Sequence, residues 1–312
     1  MPDSIAVIGD GAFYGCVSLA NIAIPKNITT IGASAFYGCA GLTSLTIPDG
    51  VERIGSQAFS RCEGLANLII AESVISIGSD AFSVCNGLTS IVIPDSVTSM
   101  GSYVFAYCKN LRNATIGTGL AAITRSAFSG CEKLSNVIIP DNIKQIDTEA
   151  FAGCKELVSL TLPNKVTSIG VKAFYGCTGL VSVTIPHSVA SFGMFAFAEC
   201  AALTSVLFEG DAPSYVGARV FEGVATNFII FYREGRSGFT SPTWQGYPAV
   251  MLGAQPTLEE WRRQHFGEDA ANSGEAADAA DPDGDGLTNA EEFAAGTQPK
   301  MRPVLFRWRG QP

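Results

Sequence analysis

Charge is scarce in this chain and histidine nearly missing: Asp, Glu, Lys and Arg make up 16% of its 312 residues, and only two residues are His. His187 falls on an expected turn and His265 on an expected helix, with no nucleophile motif, phosphate-cradling loop or zinc spacing near either. No catalytic set can be assembled from them, so the chain is expected not to be an enzyme. No apolar run approaches the roughly 18 residues that a membrane helix needs, so no membrane span is expected. A clustered basic surface is lacking too. The 20 basic residues are outnumbered by 29 acidic ones, giving a net charge of -9 that argues against a nucleic-acid partner. The first residues contain neither a basic n-region nor an apolar h-region, so no signal peptide is visible in them.

What the chain does have is repetition. The phrase Ile31-Gly32-Ala33-Ser34-Ala35-Phe36-Tyr37-Gly38-Cys39 is followed by Leu42, Leu45 and Ile47 and closed by Pro48. It returns every 23 residues, placing Phe at 13, 36, 59, 82, 105, 128, 151, 174 and 197, and each of the nine Cys three residues after one of them. A fixed period in this range marks a solenoid, whose units bury their apolar faces only against their neighbours. Met1-Pro2-Asp3-Ser4-Ile5 through Gly9 matches Ile93-Pro94-Asp95-Ser96-Val97 through Gly101, so the chain enters a repeat midway. The expectation is that the natural protein extends upstream, with further repeats and an export signal.

Within one unit, Leu45 and Ile47 share a face at the strand period of two while Ser44 and Thr46 point away. This gives one short parallel strand per coil. Pro48 ends it, Asp49-Gly50 turns, and Val51 to Gly55 crosses the opposite side, with Gly55 supplying a tight bend that a side chain would obstruct. Ser56 to Cys62 is too short for an independent helix and is expected to form a helical or 3₁₀ turn around Phe59. The fold class is therefore an α/β repeat solenoid of 23-residue coils. The plan lapses at Ala71 for Pro, at Thr124 and Asp147 for Gly, and at Ala114 in a strand.

The cysteines stack coil over coil at about 4.8 Å, a distance at which neighbours could be bridged. Their apolar context, between Phe and Leu, instead favours a ladder of small buried free thiols. Disulfides and a metal stay open as alternatives, the metal being the weaker because no His accompanies the Cys.

These units resemble the BspA-type bacterial surface leucine-rich repeats, whose strand "LxxIxIP" and phrase "xxVTxIGxxAFxGC" are matched by Leu180 to Pro186 and Val166 to Cys177. The resemblance implies a leucine-rich-repeat solenoid and a surface or secreted binding or adhesion protein. Residues 1–210 are assigned to this solenoid. Residues 211–253 form a degenerate last coil and cap, in which Asn227 to Tyr232 reads as a final strand and Trp244, Tyr247 and Pro248 as a lid.

From Ala254 onward 11 acidic and six basic residues remain, leaving 18 and 14 on the much longer stretch before it. Residues 254–280 read as a short helix opened by the capping box Thr257 to Glu260 and stopped by Gly267, then an acidic linker. Residues 281–299 carry the clearest site chemistry. Asp281, Asp283 and Asp285 stand at loop positions 1, 3 and 5, Gly286 at 6, Asn289 at 9 and Glu292 at 12. Calcium takes about six to eight oxygens, and this spacing supplies them from three Asp carboxylates, the Leu287 carbonyl, Asn289 and a bidentate Glu292. Nine acids and no base between Glu268 and Glu292 repel one another until a cation sits among them. The loop is similar to EF-hand-like motifs of dockerins and thrombospondin type 3 repeats, but departs from the EF-hand at Leu287 and Thr288 and has no sister loop, so affinity is expected in the weak range of about 10⁻⁴ to 10⁻³ M. Residues 300–312 are unassigned.

A solenoid presents a long concave strand face to partners. Its outward residues are Ser44, Thr46, Asn67, Ile69, Ser90, Val92, Asn113, Thr115, Asn136, Ile138, Ser159, Thr161, Ser182, Thr184, Ser205 and Leu207, with only Arg112 breaking the uncharged pattern beside them. The expected function is a monomeric cell-surface or secreted adhesion module that holds a protein or glycan on this face and a calcium ion in its tail. A structural spacer is the alternative, because interaction sites normally carry aromatic and Arg anchors. A non-catalytic part of a carbohydrate-processing complex is a third reading, suggested by the dockerin-like loop.

Overall fold

The structure, a computed structural model, describes residues 5–253 together with Arg262. The chain separates into two compact units, Met1–Leu252 and Gly253–Pro312, and almost all described residues belong to the first. The expected short helix before Gly267, the acidic linker, the calcium loop with Asp281, Asp283, Asp285, Leu287, Asn289 and Glu292, and the 300–312 tail lie outside the described residues.

The first unit is a parallel-strand solenoid with one coil per repeat. One row of strands follows the Leu-rich part of each repeat: Ser44–Ile47, Asn67–Ile70, Ser90–Val92, Asn113–Thr115, Asn136–Ile138, Ser182–Ile185, Ser205–Phe208, Ile229–Arg233 and Tyr247–Leu252. Pairing runs in register from coil to coil, as in Ser44 with Asn67 and Leu45 with Leu68. Residues 158–162 take no strand pairing, so Ser159 and Thr161, expected on a strand, sit in an interruption of the row. A second row of two-residue bridges, among them Thr30–Ile31, Arg53–Ile54 and Ser168–Ile169, lines the opposite side of each coil. Alternation does the sorting. In Ser44–Ile47 the burial runs exposed, buried, exposed, buried.

The core is a continuous column. Phe36 through Phe197 at the 23-residue spacing are fully buried, as are Cys39 through Cys200 and Leu42 through Leu203. Consecutive Phe rings stack nearly parallel, from 4.9 Å between Phe13 and Phe36 to 5.7 Å between Phe105 and Phe128. A column of this kind removes about 150–250 Å² per ring from water and is the main apolar contribution of each coil.

The segment around each Phe corrects the expected helical or 3₁₀ turn: among the described residues of the solenoid there is no helix. The amide protons alternate instead. Ala35, Tyr37 and Cys39 donate to the carbonyls of Gly32, Ser34 and Phe36, closing turns within the coil, whereas Ser34, Phe36 and Gly38 donate to Ser56, Ala58 and Ser60 on the next coil. A helix would spend every one of these donors inside its own segment, and half are needed between coils. Two positions per turn take positive φ, as in Ser34 at 51° and Gly38 at 70°. That accounts for the Gly before five of the nine Cys, while Arg61, Val84, Tyr107 and Glu199 take the same positive φ before the other four.

Glycine in the second row has another cause. A Cβ on Gly55 would meet the Ala33 amide nitrogen at 2.6 Å, and one on Gly193 the Val171 nitrogen at 2.2 Å. Coils touch backbone to backbone there. Where Thr124 replaces this Gly, the second row breaks: one sheet ends at Ser99–Met100 and the next begins at Ala122–Ile123. The Thr124 hydroxyl donates to the Gly101 carbonyl at 2.7 Å, and Phe105 and Phe128 beside the break are the most widely spaced pair of the stack.

At the far end the array runs one strand beyond the expected final one. Thr243–Trp244 folds back on Tyr247–Leu252 through Gln245 and Gly246, both at positive φ, the geometry of a two-residue type I′ hairpin. Trp244 is buried edge-on against Phe208 at 5.4 Å, with its indole N–H donating to Gly238 at 3.0 Å. Arg233 grips Glu209 with two bonds of 3.0 and 3.2 Å, tying the last coils together.

Candidate interaction surface

The outward positions of the first row form two columns. Ser44, Asn67, Ser90, Asn113, Asn136, Ser159 and Ser182 are exposed, with Ser205 half-buried. Thr46, Ile69, Val92, Ile138, Thr161 and Thr184 are exposed, with Thr115 and Leu207 half-buried. Register keeps each column straight: Ser90 pairs with Asn113 and Val92 with Thr115, which in turn pair with Asn136 and Ile138. None of these side chains is charged. The aliphatic members stand unusually free, Ile69 and Val92 each at 62% and Ile138 at 55% exposure.

Charge collects at the adjoining corner, just after the cysteines. Gly41, Gly64, Gly87 and Gly179 hold the second position after Cys because a Cβ there would meet the previous coil at 2.4–2.9 Å. Three successive coils break this rule with Asn110, Lys133 and Glu156. A cleft of about 400 Å³ opens here, lined by Asn86, Lys109, Asn110, Glu132, Lys133, Lys155 and Glu156.

Its polar contacts run from coil to coil. Glu132 receives Lys155 at 3.0 Å and Lys109 at 3.7 Å, and the Lys155 hydrogen bond, aided by both charges, holds its carboxyl below the usual carboxylate range. The Arg112 guanidinium reaches Glu156 at 3.4 Å, joining the corner to the strand face. Lys133 donates to the neutral Asn110 amide oxygen at 2.8 Å, and Asn110 donates to the Asn86 carbonyl at 2.8 Å. Sequence reasoning singled out Arg112 and missed the rest. Their signal was the loss of Gly in three consecutive repeats.

The cysteines contribute no reactive site inside the stack. All nine are free, Cys16 exposed and the other eight buried. Each buried thiol donates to the carbonyl of the Phe 26 residues earlier, as Cys62 does to Phe36 at 3.2 Å. Burial pushes the thiols from Cys39 to Cys177 up, Cys62 and Cys108 to about 12, which suppresses the thiolate that would act as nucleophile. Among the described residues no group of three or more His, Cys, Asp or Glu is placed to hold a metal, and no helix is long and apolar enough to cross a membrane.

Comparison with known proteins agrees with this architecture. The family model for the BspA type leucine rich repeat region matches residues 1–112 and 121–234, in six copies. The crystal structure of a leucine-rich repeat protein from Bacteroides ovatus is 27% identical, covering 80% of this chain and 79% of its own, with a TM-score of 0.60. The leucine rich repeat protein of T. pallidum is also 27% identical, over 65% of this chain and 76% of its own, with a TM-score of 0.46. A leucine rich cell surface protein from Faecalibacterium prausnitzii is 25% identical, over 67% of this chain and 78% of its own, with a TM-score of 0.35. A comparison with curated proteins finds no match.

Proposed function

Because the chain belongs to the BspA-type leucine-rich-repeat family, we propose that it is a non-enzymatic binding module, at the cell surface or secreted, which holds a partner on its long-strand face. The observation that carries this reading is the pair of straight exposed columns through Asn113 and Thr115, free of charge and fixed in register by the ladder beneath them. Rigid elements present side chains with little entropy to lose on association, and a solenoid multiplies such positions without a pocket. The uniform columns alone would suit a spacer equally well. The charged cleft beside them, with Arg112 bridging to Glu156, distinguishes this surface from a plain extension.

An array of extracellular-matrix proteins and glycans, probed with the wild type and with Asn113→Arg and Asn136→Arg, tests the reading. Both positions are exposed, so neither change burdens folding. Capture by the wild type that both variants lose is expected. A blank array would favour the spacer. The calcium loop is proposed separately, on the spacing of Asp281, Asp283, Asp285, Asn289 and Glu292 and on the mutual repulsion of the acids around them.

A further inference from the structure

In the middle coils two features flank the strand face, aliphatic side chains that end their strands and a charged corner that precedes them. Val92 and Ile138 stand 62% and 55% exposed on either side of Thr115, to which both are paired. Val158, 55% exposed, follows Arg112 and Ser135 one repeat on, in the coil whose strand pairing is interrupted, and the Ser135 amide donates to the Arg112 carbonyl at 3.0 Å. Alongside lies the charged corner. Four of the 14 basic residues before Ala254 sit in it, Lys109, Arg112, Lys133 and Lys155, against the two carboxylates Glu132 and Glu156. The stretch before Ala254 carries 18 acidic and 14 basic residues, so this local excess of two positive charges is opposite in sign to the net charge of that stretch. Glu132 is shared by two lysines and Glu156 is taken by Arg112, which leaves Lys133 with the neutral Asn110 oxygen as its acceptor.

Resting on the binding-module reading, we propose that the partner of this face of the middle coils is an extended acidic peptide segment whose carboxylates alternate with aliphatic side chains. In an extended chain successive side chains point to opposite sides. A segment laid across the coils between the two therefore turns its aliphatic residues toward Val92 and Ile138 and its carboxylates toward the cleft, where one reaches Lys133. The apolar contact supplies affinity, and the charges supply orientation and rate of encounter. A polyanion alone would satisfy the lysines but would leave the aliphatic column uncovered.

The probe is a fluorescein-labelled decapeptide of alternating Glu and Val, measured by anisotropy on the full chain, beside the Glu-Gly, Lys-Val and heparin-oligosaccharide counterparts. The Glu-Val peptide is expected to bind in preference to the other three. Lys133→Glu and Ile138→Ser should each weaken it by roughly tenfold, equivalent to about 1.4 kcal/mol. Raising salt from about 50 to about 500 mM should weaken it further, since exposed charges are screened over a Debye length. Thermal melts of both variants establish that they fold. Equal binding of the Glu-Gly peptide, tighter binding of heparin unaffected by Ile138→Ser, or wild-type affinity in Lys133→Glu would each overturn the inference. An array partner held equally by wild type and Lys133→Glu would sink this inference alone, whereas a blank array would sink the binding-module reading beneath it.

Discussion

Cys62 donates its thiol proton to the carbonyl of Phe36, 3.2 Å away and one coil earlier. The same bond recurs from Cys39 to Cys200, so the cysteine column is a ladder of weak donors satisfying carbonyls beside the Phe stack. Free thiols in such a column make stability depend on pH in a definite direction. An unfolded thiol ionises near about pH 8.5, whereas burial keeps Cys62 and Cys108 protonated to about 12. The native state then binds more protons than the unfolded state, so stability is full below about pH 8.5 and falls as pH rises toward 12. On the order of 1–2 kcal/mol per thiol is lost by pH 10. Melting midpoints should drop between pH 7 and pH 10, and less steeply in a Cys62→Ala, Cys108→Ala variant. Equal slopes would refute the linkage. A thiol reagent should find Cys16 in the native protein and all nine sulfhydryls in denaturant; a much lower total would mean disulfides.

Two kinds of glycine should answer differently to substitution by alanine. Gly193 has an ordinary φ, but its added Cβ would lie 2.2 Å from the Val171 nitrogen, a backbone atom that cannot yield without parting the coils. Gly176 has open space around it and a φ of 68°. Alanine at 176 should cost about 1 kcal/mol, the usual penalty of the left-handed region. Alanine at 193 should cost about 2–4 kcal/mol, in the range of overpacked cores. Denaturant midpoints would rank them, and a larger loss at 176 would contradict the close-approach account.

The core was legible because one spacing fixes it: a Phe, a Cys and a Leu returning every 23 residues can occupy the same place only if coils stack, and Phe36, Cys39 and Leu42 are fully buried as that requires. The turn around Phe36 was not legible. A seven-residue run has no period long enough to tell a helical turn from alternating bonds within and between coils, and the deciding acceptors belong to a neighbour 22 residues away. The strand face was read residue by residue, yet its one charged edge was seen only at Arg112. Lys133 and Glu156 looked like ordinary surface residues until the glycines they displace, and the clash those glycines avoid, gave their positions meaning.

Calcium should bind the tail with a stoichiometry near one and a dissociation constant of about 10⁻⁴ to 10⁻³ M. The double change Asp283→Ala, Asp285→Ala removes two of the carboxylates that would meet the ion, at loop positions 3 and 5. Calorimetric titration should show heat for the wild type and none for the variant. Equal heats would end the calcium assignment, whereas the melting midpoint of the solenoid is expected to be the same in both proteins.

Val84 occupies the second positive-φ position of its turn, where Gly38, Gly130, Gly153 and Gly176 serve in other coils. Its φ is 59°, a conformation that crowds Cβ against the carbonyl and is worst tolerated by branched side chains. The strain costs about 1–2 kcal/mol, of which the extra flexibility of glycine in the unfolded chain would return about 0.5–1. Val84 is half-buried at the surface of the turn, so little packing is lost with it. Val84→Gly should therefore stabilise by up to about 1 kcal/mol and raise the melting midpoint by about 2–4 °C, a gain typical of strain relief in a domain of this size. The amide bond from Val84 to the Ala106 carbonyl, 2.8 Å long, is made by backbone alone and survives the change. A lowered midpoint would mean that the valine side chain packs more favourably than its backbone is strained.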